Sequence, residues 1–187
     1  MDTKPEMTAS ALVELLQLFD DSAIPVWLDG GWGVDALLGV QTRRHKDVDI
    51  ILRVADVLKL QEILERRGFT IREGAPPTSF VLADSSGLEV DVHAVVFDTD
   101  GNGVYRMQNG GDWIFPAEGF RGRGIVAGRS IPCLSPSTQV LCHANGYAPA
   151  EVDLRDMALL QKRFGVELPP QLRLSSQSLD GNNEQIL

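Results

Sequence analysis

Apolar residues recur first at helical spacing and then in short continuous runs, a pattern that predicts helices interspersed with strands. An apolar stripe of Leu12, Leu15, Leu16 and Phe19 predicts a helix that begins after an N-cap at Thr8. Further helices are predicted at residues 31–38, 56–67, 135–145 and 151–164, and strands at 24–28, 48–54, 69–71, 79–83, 88–97, 125–127 and 131–133. The fold class that follows is α/β (α+β), a mixed twisted sheet flanked by helices with a short C-terminal helical part.

The chain divides into three predicted segments. Residues 1–134 carry all the predicted strands, residues 135–170 are a helical extension packed on them, and residues 171–187 are polar and predicted to be disordered. The stretch from residue 104 to Gly124 is glycine-rich and is predicted to be irregular, anchored by Trp113, Phe115 and Phe120. Gly39 is expected to end the helix at 31–38 in a left-handed conformation, and Asp56 is expected to cap the helix that follows.

Composition indicates an ordinary globular protein. Of 187 residues, 43% are hydrophobic and 23% are charged, and no apolar run approaches the roughly 20 residues that span a bilayer. The N-terminus lacks the basic and apolar regions of a signal peptide, so we expect a cytoplasmic protein that does not contact membranes. Cys133 and Cys142 both lie among apolar residues, and we expect them to be free buried thiols.

The net charge of −9 argues against a nucleic-acid polymer as partner, since phosphate binding requires a positive surface. An acidic cleft would instead attract a small cationic substrate.

Candidate chemistry concentrates between residues 28 and 50. Gly30 and Gly31 follow a predicted buried strand, and Asp47 and Asp49 then begin the next strand. Side chains two positions apart on a strand point to the same face, so Asp47 and Asp49 repel each other unless a cation or a proton lies between them. Oxygen ligands favour a hard ion such as Mg²⁺, and backbone amides at the glycine pair can approach phosphates closely. The pattern predicts a metal–nucleotide site.

A third acid completes the predicted site. Asp91 lies on the strand predicted at 88–97, which could lie beside the Asp47–Asp49 strand in a mixed sheet. Three converging carboxylates could hold one or two metal ions around a nucleoside triphosphate. Glu89 shares the face of Asp91 and is the alternative general base, while His93 either orients Asp91 or is a satisfied core histidine.

These residues resemble the DNA polymerase β-like nucleotidyltransferase superfamily. Three sequence motifs resemble those of its antibiotic-modifying branch. They are Trp-Leu-Asp-Gly-Gly-Trp-Gly-Val-Asp, then Arg-x-His-x-Asp-Val-Asp-Ile, and then Val-Asp-Val-His. The chain is most similar to small lincosamide nucleotidyltransferases and more distantly to aminoglycoside 2''-nucleotidyltransferases, over about residues 10 to 165. The resemblance implies the nucleotidyltransferase fold, with Asp47 and Asp49 as Mg²⁺ ligands and Asp91 as ligand, base or both.

The resemblance also implies roles around the acids. The cations Arg43, Arg44 and Lys46 would neutralise the triphosphate, or they form an exposed basic loop. His45 either holds this loop or contacts phosphate. Asp29 is a candidate to face the acceptor. Related enzymes build part of the acceptor or nucleotide site from the C-terminal helices, where the candidates are Tyr147, Glu151, Arg155 and Asp156.

The leading hypothesis is an Mg²⁺-dependent enzyme that transfers AMP from ATP to a hydroxyl of an antibiotic, most similar to a lincosamide nucleotidyltransferase. One alternative keeps the chemistry and takes an aminoglycoside as acceptor. A second alternative is a non-catalytic regulatory or antitoxin-like module of the same fold. Related enzymes are often dimers, so a homodimer is also expected.

Overall fold

The computed structural model describes residues 6–107, 110–145 and 148–174. Its helices are α1 (Ala9–Asp21), α2 (Gly30–Leu38), α3 (Val57–Glu65), α4 (Pro136–His143) and α5 (Glu151–Phe164), with short 3-10 helices at Val54–Asp56, Ala117–Arg121 and Pro170–Leu172. Its strands are β1 (Val26–Asp29), β2 (Asp47–Arg53), β3 (Thr70–Ala75), β4 (Ser79–Ala83), β5 (Glu89–Phe97), β6 (Gly103–Arg106), β7 (Asp112–Phe115), β8 (Arg123–Val126) and β9 (Arg129–Pro132).

Helix ends follow the local chemistry of the sequence. The Thr8 hydroxyl accepts a hydrogen bond from the backbone N–H of Ala11 at 3.2 Å, and Ser135 caps α4 ahead of Pro136. Gly39 ends α2 with φ of 75°, the left-handed conformation predicted for it. Asp56 makes no side-chain capping bond to α3, because a 3-10 turn precedes that helix. Asp56 therefore holds the predicted N-cap position of α3, but without a capping hydrogen bond.

The main sheet is mixed. Its strand order is β1-β2-β5-β4-β3, and β6 pairs with β5 and with β7. β2 and β5 run parallel at the centre, while the other pairs are antiparallel. β8 and β9 form a separate hairpin. The predicted fold class is confirmed, and so is the placement of the Asp91 strand beside the Asp47–Asp49 strand.

Three apolar clusters hold the fold together. The largest packs α1 and α3 against the sheet, with Phe19, Ile50 and Val92 among its fully buried members. A second cluster joins α2 to α4 and α5, and it buries Met157 and Leu172 completely. The third lies at the end of β5, where aromatic rings cluster around Leu134. The C-terminal helices therefore rest directly on the helix that begins at the glycine pair.

The region predicted to be irregular contains regular structure. β6 and β7 pair in register over Gly103↔Phe115 to Arg106↔Asp112, and this hairpin extends the sheet beyond β5. Its strands have only four residues each, too few for alternation to stand out among the glycines.

Within the described residues, no helix combines the length and apolarity needed to cross a bilayer. The proposed boundary between residues 134 and 135 stays a prediction. Of the tail predicted to be disordered, 171–187, the first residues are ordered: Pro170–Leu172 form a 3-10 helix, and Leu172 is fully buried in the second apolar cluster. The rest of that tail, 175–187, lies outside the described residues.

Candidate active site

Three carboxylates form a row across the sheet. Asp29 on β1 is in register with Asp49 on β2, and Asp49 is in register with Asp91 on β5. In-register residues on adjacent strands point to the same face, so the three side chains lie side by side. Asp47 and Glu89 form the next such pair along β2 and β5.

The row has unfavourable electrostatics without a counter-ion. Burial, followed by the charges of Asp29, Asp91 and Asp47, raises the pKa of Asp49 well above its ordinary value. Burial also raises the pKa of Asp91, and this effect is opposed by the adjacent His93. A divalent cation would offset this repulsion, so the electrostatics fit a metal site.

The side chains of Asp49, Asp91 and His93 come close enough to share an ion. One ligand atom from each lies within 4.8 Å of the others. Asp47 is not a member of this group among the described residues, and its carboxylate lies 3.2 Å from the Lys46 ammonium. The carboxylates supply the oxygen donors that Mg²⁺ prefers. His93 adds a nitrogen donor and is a quarter exposed, which does not fit the alternative of a core histidine.

Glu89 has other partners. Its carboxylate accepts a hydrogen bond from Lys46 at 3.0 Å and lies 3.8 Å from Arg72. Lys46 therefore bridges Asp47 and Glu89 at the edge of the acid cluster, and its pKa is raised by these carboxylates, chiefly Glu89. Glu89 thus has two cationic partners, whereas the Asp91 carboxylate lies beside His93.

The glycine pair opens α2 beside the acid row. The Gly30 N–H donates to the Asp29 carboxylate at 2.8 Å, and Gly30 has φ of 55°. A Cβ on Gly30 would overlap the Asp49 carboxylate, and a Cβ on Gly31 would overlap the Arg43 guanidinium and the His45 ring. Both positions thus require glycine for close packing, and Gly30 also for its left-handed backbone. The first amides of α2 face the acids with the positive end of the helix dipole.

The other three basic residues of the loop, Arg43, Arg44 and His45, have separate environments. The Arg43 guanidinium donates to Asp156, and Arg44 pairs with Glu6 at the surface. The His45 ring lies 2.6 Å from the Asp35 carboxylate, and both side chains are almost completely buried. Asp35 also accepts hydrogen bonds from the N–H and hydroxyl of Thr42, at 3.0 and 2.6 Å. His45 therefore holds the loop, the structural alternative considered for it.

A cavity of about 400 Å³ opens on the acid row. One wall carries polar groups from β1, β2 and β5, a second is an apolar and aromatic surface of the β6–β7 region, and a third comes from the end of α4. Its lining residues are Asp29, Gly30, Asp49, His93, Tyr105, Met107, Trp113, Phe115, Cys142, His143 and Asn145. The cavity is large enough for a small-molecule acceptor.

The C-terminal candidates separate into three cases. Tyr147 lies outside the described residues. Glu151 and Arg155 pair with each other on the exposed face of α5, and neither lines the cavity. Asp156 is buried and reaches the loop through Arg43. The structure therefore brings Asp156 to the glycine pair and leaves Glu151 and Arg155 away from it.

Several cavity residues gave no signal as site residues in the sequence. Tyr105 and Met107 lie in the hairpin that was predicted to be irregular, and Trp113 and Phe115 were expected only as apolar anchors. His143 is held by a contact between its Nδ1 and the Gln139 carbonyl, 2.8 Å apart. Tyr105 and Met107 are two positions apart, a spacing that could have indicated a shared side of an extended segment, although β6 itself ends at Arg106. The two cysteines are free as predicted, though Cys142 is only half-buried because it borders the cavity.

The fold and this acid row define a nucleotidyltransferase. The chain belongs to the aminoglycoside-2''-adenylyltransferase family, whose model matches residues 11–160. It is therefore an enzyme of the antibiotic-modifying nucleotidyltransferases, and the non-catalytic alternative is not supported.

Individual relatives agree with this assignment. A lincosamide resistance protein from Staphylococcus haemolyticus is 33% identical over 155 residues, which cover 83% of this chain and 95% of that protein. A crystal structure of a lincosamide antibiotic adenylyltransferase with lincomycin bound has a TM-score of 0.74 at 33% identity, covering 83% of this chain and 98% of that one. A 2''-aminoglycoside nucleotidyltransferase from Escherichia coli is 35% identical over 60 residues, or 32% of this chain and 34% of that protein. The structure of ANT(2'')-Ia with adenylyl-2''-tobramycin, at 21% identity, TM-score 0.64 and coverage of 82% and 87%, shares the fold.

Proposed function

We propose that this enzyme transfers AMP from ATP, with Mg²⁺, to a hydroxyl of a lincosamide antibiotic and thereby confers resistance. The observation that carries the proposal is the cavity that joins the acid row to an aromatic wall. The acids supply the chemistry of nucleotidyl transfer, and the wall supplies a surface for the apolar part of an acceptor.

Asp91 is the proposed general base. Its carboxylate takes the proton of the acceptor hydroxyl as that oxygen forms a bond to the α-phosphorus, and the bond to pyrophosphate breaks. Burial raises the pKa of the Asp91 carboxyl above its ordinary value in the metal-free protein, which makes the carboxylate a stronger base. His93, with Nε2 at 3.7 Å from Asp91 Oδ1, would hold the carboxylate in position.

Asp47, Asp49 and Asp91 are the proposed magnesium ligands, with His93 beside them. When bound, Mg²⁺ neutralises charge that develops on the phosphate oxygens and the leaving group. Asp49 is the central residue, because it lies between Asp29 and Asp91 in the row and against Gly30.

The glycine turn and its cations are the proposed phosphate site. The Gly31 amide would donate to a phosphate oxygen at the start of α2, and the Gly30 amide would do so on release from the Asp29 carboxylate. Arg43, beside Gly31, and Lys46, beside Asp47, are the cations best placed to neutralise the triphosphate. Arg44 remains a proposed contributor from the exposed side of the loop, while His45 would act by fixing that loop.

The acceptor is proposed to lie between Asp29 and the β6–β7 hairpin. A lincosamide joins a hydroxyl-bearing sugar to an alkylated proline amide, so it presents both a polar and an apolar part. Tyr105, Trp113 and Phe115 would contact the apolar part, and the acid row would receive the sugar hydroxyl.

A second candidate acceptor is an aminoglycoside. The family match and the net charge of −9 favour a polycation. The aromatic wall favours the lincosamide, because alkyl groups bury apolar area against it, which the ammonium groups of a polycation do not.

Product analysis separates these acceptors. The purified enzyme is incubated with ATP, Mg²⁺ and either a lincosamide or an aminoglycoside, and the mass of the antibiotic is then measured by mass spectrometry. We expect the lincosamide to gain one AMP and the aminoglycoside to remain unmodified. An adenylylated aminoglycoside beside unmodified lincosamide would reverse the order of the two candidates, and no adduct on either would contradict the proposal.

Compartment and assembly complete the proposal. Free thiols at Cys133 and Cys142 are compatible with the cytoplasm, and the net negative charge argues against a nucleic-acid partner. Val96 on β5 and Ile114 on β7, both about half exposed, are each in register with Val104 on the intervening strand β6 and offer an apolar surface for a homodimer. Sedimentation equilibrium tests the dimer, and a monomeric mass at micromolar concentration would contradict it.

A further inference from the structure

Arg43 connects the C-terminal helix to the glycine turn. Its Nε and one terminal nitrogen donate to the same Asp156 oxygen, at 3.2 and 3.0 Å, while its other terminal nitrogen contacts the Arg44 carbonyl at 3.4 Å. The terminal nitrogen bound to Asp156 is also the atom that a Cβ on Gly31 would overlap. One side chain thus touches α5 and the start of α2 together.

The two ends of this ion pair differ in exposure. The Asp156 side chain is 4% exposed, whereas that of Arg43 is 33% exposed. Among the described residues, these hydrogen bonds use three of the five guanidinium N–H groups of Arg43. One of the two remaining N–H groups belongs to the terminal nitrogen that lies beside Gly31, and the partial exposure of the Arg43 side chain gives an anion access to it.

Asp156 depends on Arg43. Burial raises the pKa of Asp156, and the bond and charge of Arg43 act in the opposite direction. A buried carboxylate without its cation is costly, so the ion pair with Asp156 favours the orientation of Arg43 that the structure shows. An arginine already ordered in this way loses less conformational entropy when it meets phosphate.

We infer that Asp156 is a positioning residue for nucleotide binding, which holds the Arg43 guanidinium against the Gly30–Gly31 turn so that its remaining N–H groups meet the polyphosphate. This inference rests on the proposed nucleotide-transfer function and extends it to α5. The C-terminal helix then contributes to nucleotide affinity through Arg43, although Asp156 itself does not line the cavity.

A double-mutant cycle on nucleotide affinity tests the inference. Calorimetry measures the binding of a non-hydrolysable ATP analogue with Mg²⁺ to the wild type, D156N, R43M and the double variant. We expect D156N to weaken binding about 10-fold and R43M about 10- to 100-fold, since each loses charge-assisted hydrogen bonds. Because Asp156 acts through Arg43, the double variant should bind no more weakly than R43M.

Asp20→Asn is the matched control. Asp20 pairs with Arg129 between α1 and β9, and neither residue lines the cavity at the acid row, so this change also removes an ion pair between two elements. D20N should bind the nucleotide like the wild type. Melting temperatures of all variants separate lost affinity from lost folding, because a purely structural tie would lower stability and leave affinity unchanged.

Three results would overturn the inference. The first is unchanged nucleotide affinity in folded D156N, and the second is that D156N weakens nucleotide binding as much in the R43M background as in the wild type. The third is that D20N weakens nucleotide binding as much as D156N does. If D156N does not fold, R43K is measured instead. Lysine keeps the positive charge but lacks the planar guanidinium that can bond Asp156 and phosphate at the same time. R43K should bind about 10-fold more weakly, and wild-type affinity there would refute the inference. The binding readout needs no acceptor, so failure of the antibiotic assay remains a separate result.

Discussion

Asp49→Asn should make the metal-free protein more stable while it removes activity. Asn has nearly the shape of Asp, so it fits against Gly30, but it carries no charge among Asp29, Asp47 and Asp91. Two unit charges at 4.8 Å, the limit for ligand atoms of Asp49 and Asp91, repel by about 3.5 kcal/mol at an effective dielectric constant of about 20.

Relaxation and solvent reduce this value, so we expect a net gain of about 1–3 kcal/mol in the free energy of unfolding. For a chain of this size, that corresponds to a rise of about 3–10 °C in melting temperature. Turnover should fall about 1,000-fold, because the variant loses a carboxylate needed where charge develops. The site is then an example of stability given up for function.

Thermal unfolding in EDTA and then in Mg²⁺ measures both effects. The wild type should gain stability from Mg²⁺, and D49N should gain much less. Asp100→Asn, in the exposed loop after β5, is the control and should change neither melting temperature nor turnover. A lower melting temperature for D49N in EDTA, or turnover near that of the wild type, would refute the electrostatic reasoning.

Three further predictions follow from the site geometry. In steady-state kinetics, D91N should lower kcat about 100- to 10,000-fold, and E89Q should lower it less than about 10-fold. A larger loss of kcat in E89Q than in D91N would make Glu89 the base. W113A should raise the KM for the lincosamide about 10-fold with the KM for ATP unchanged, and equal effects on both would contradict an acceptor wall. D35N should lower the free energy of unfolding by about 1–3 kcal/mol in urea titrations, since it disrupts the buried bond to His45, and an unchanged midpoint would contradict that role.

The acid site was largely predictable from the sequence because its determinants are local. The spacing of Asp47 and Asp49 puts both on one face of a strand, and the glycine pair is adjacent in sequence to β1. Placement of Asp91 required only that two predicted strands be neighbours, and the register Asp49↔Asp91 confirms it. The contribution of Asp29 to the row depends on the antiparallel register of β1, which periodicity alone does not specify.

The partners of the basic residues were not predictable in the same way. His45, Arg43 and Lys46 look alike in sequence as a basic loop, yet one is buried on Asp35, one pairs with α5 and one bridges two strand ends. Each partner is distant in the chain or depends on how α2 packs. The aromatic wall was missed because short strands among glycines carry too few alternating positions to be recognised.

The central claim is that the acid row catalyses nucleotidyl transfer to an antibiotic hydroxyl. Its most direct test measures adenylylated lincosamide and pyrophosphate together, in reactions of the wild type and D49N with ATP and Mg²⁺. We expect equal amounts of the two products from the wild type and almost none from D49N. Adduct formation at the wild-type rate by D49N, or pyrophosphate release without any adduct from the wild type, would contradict it.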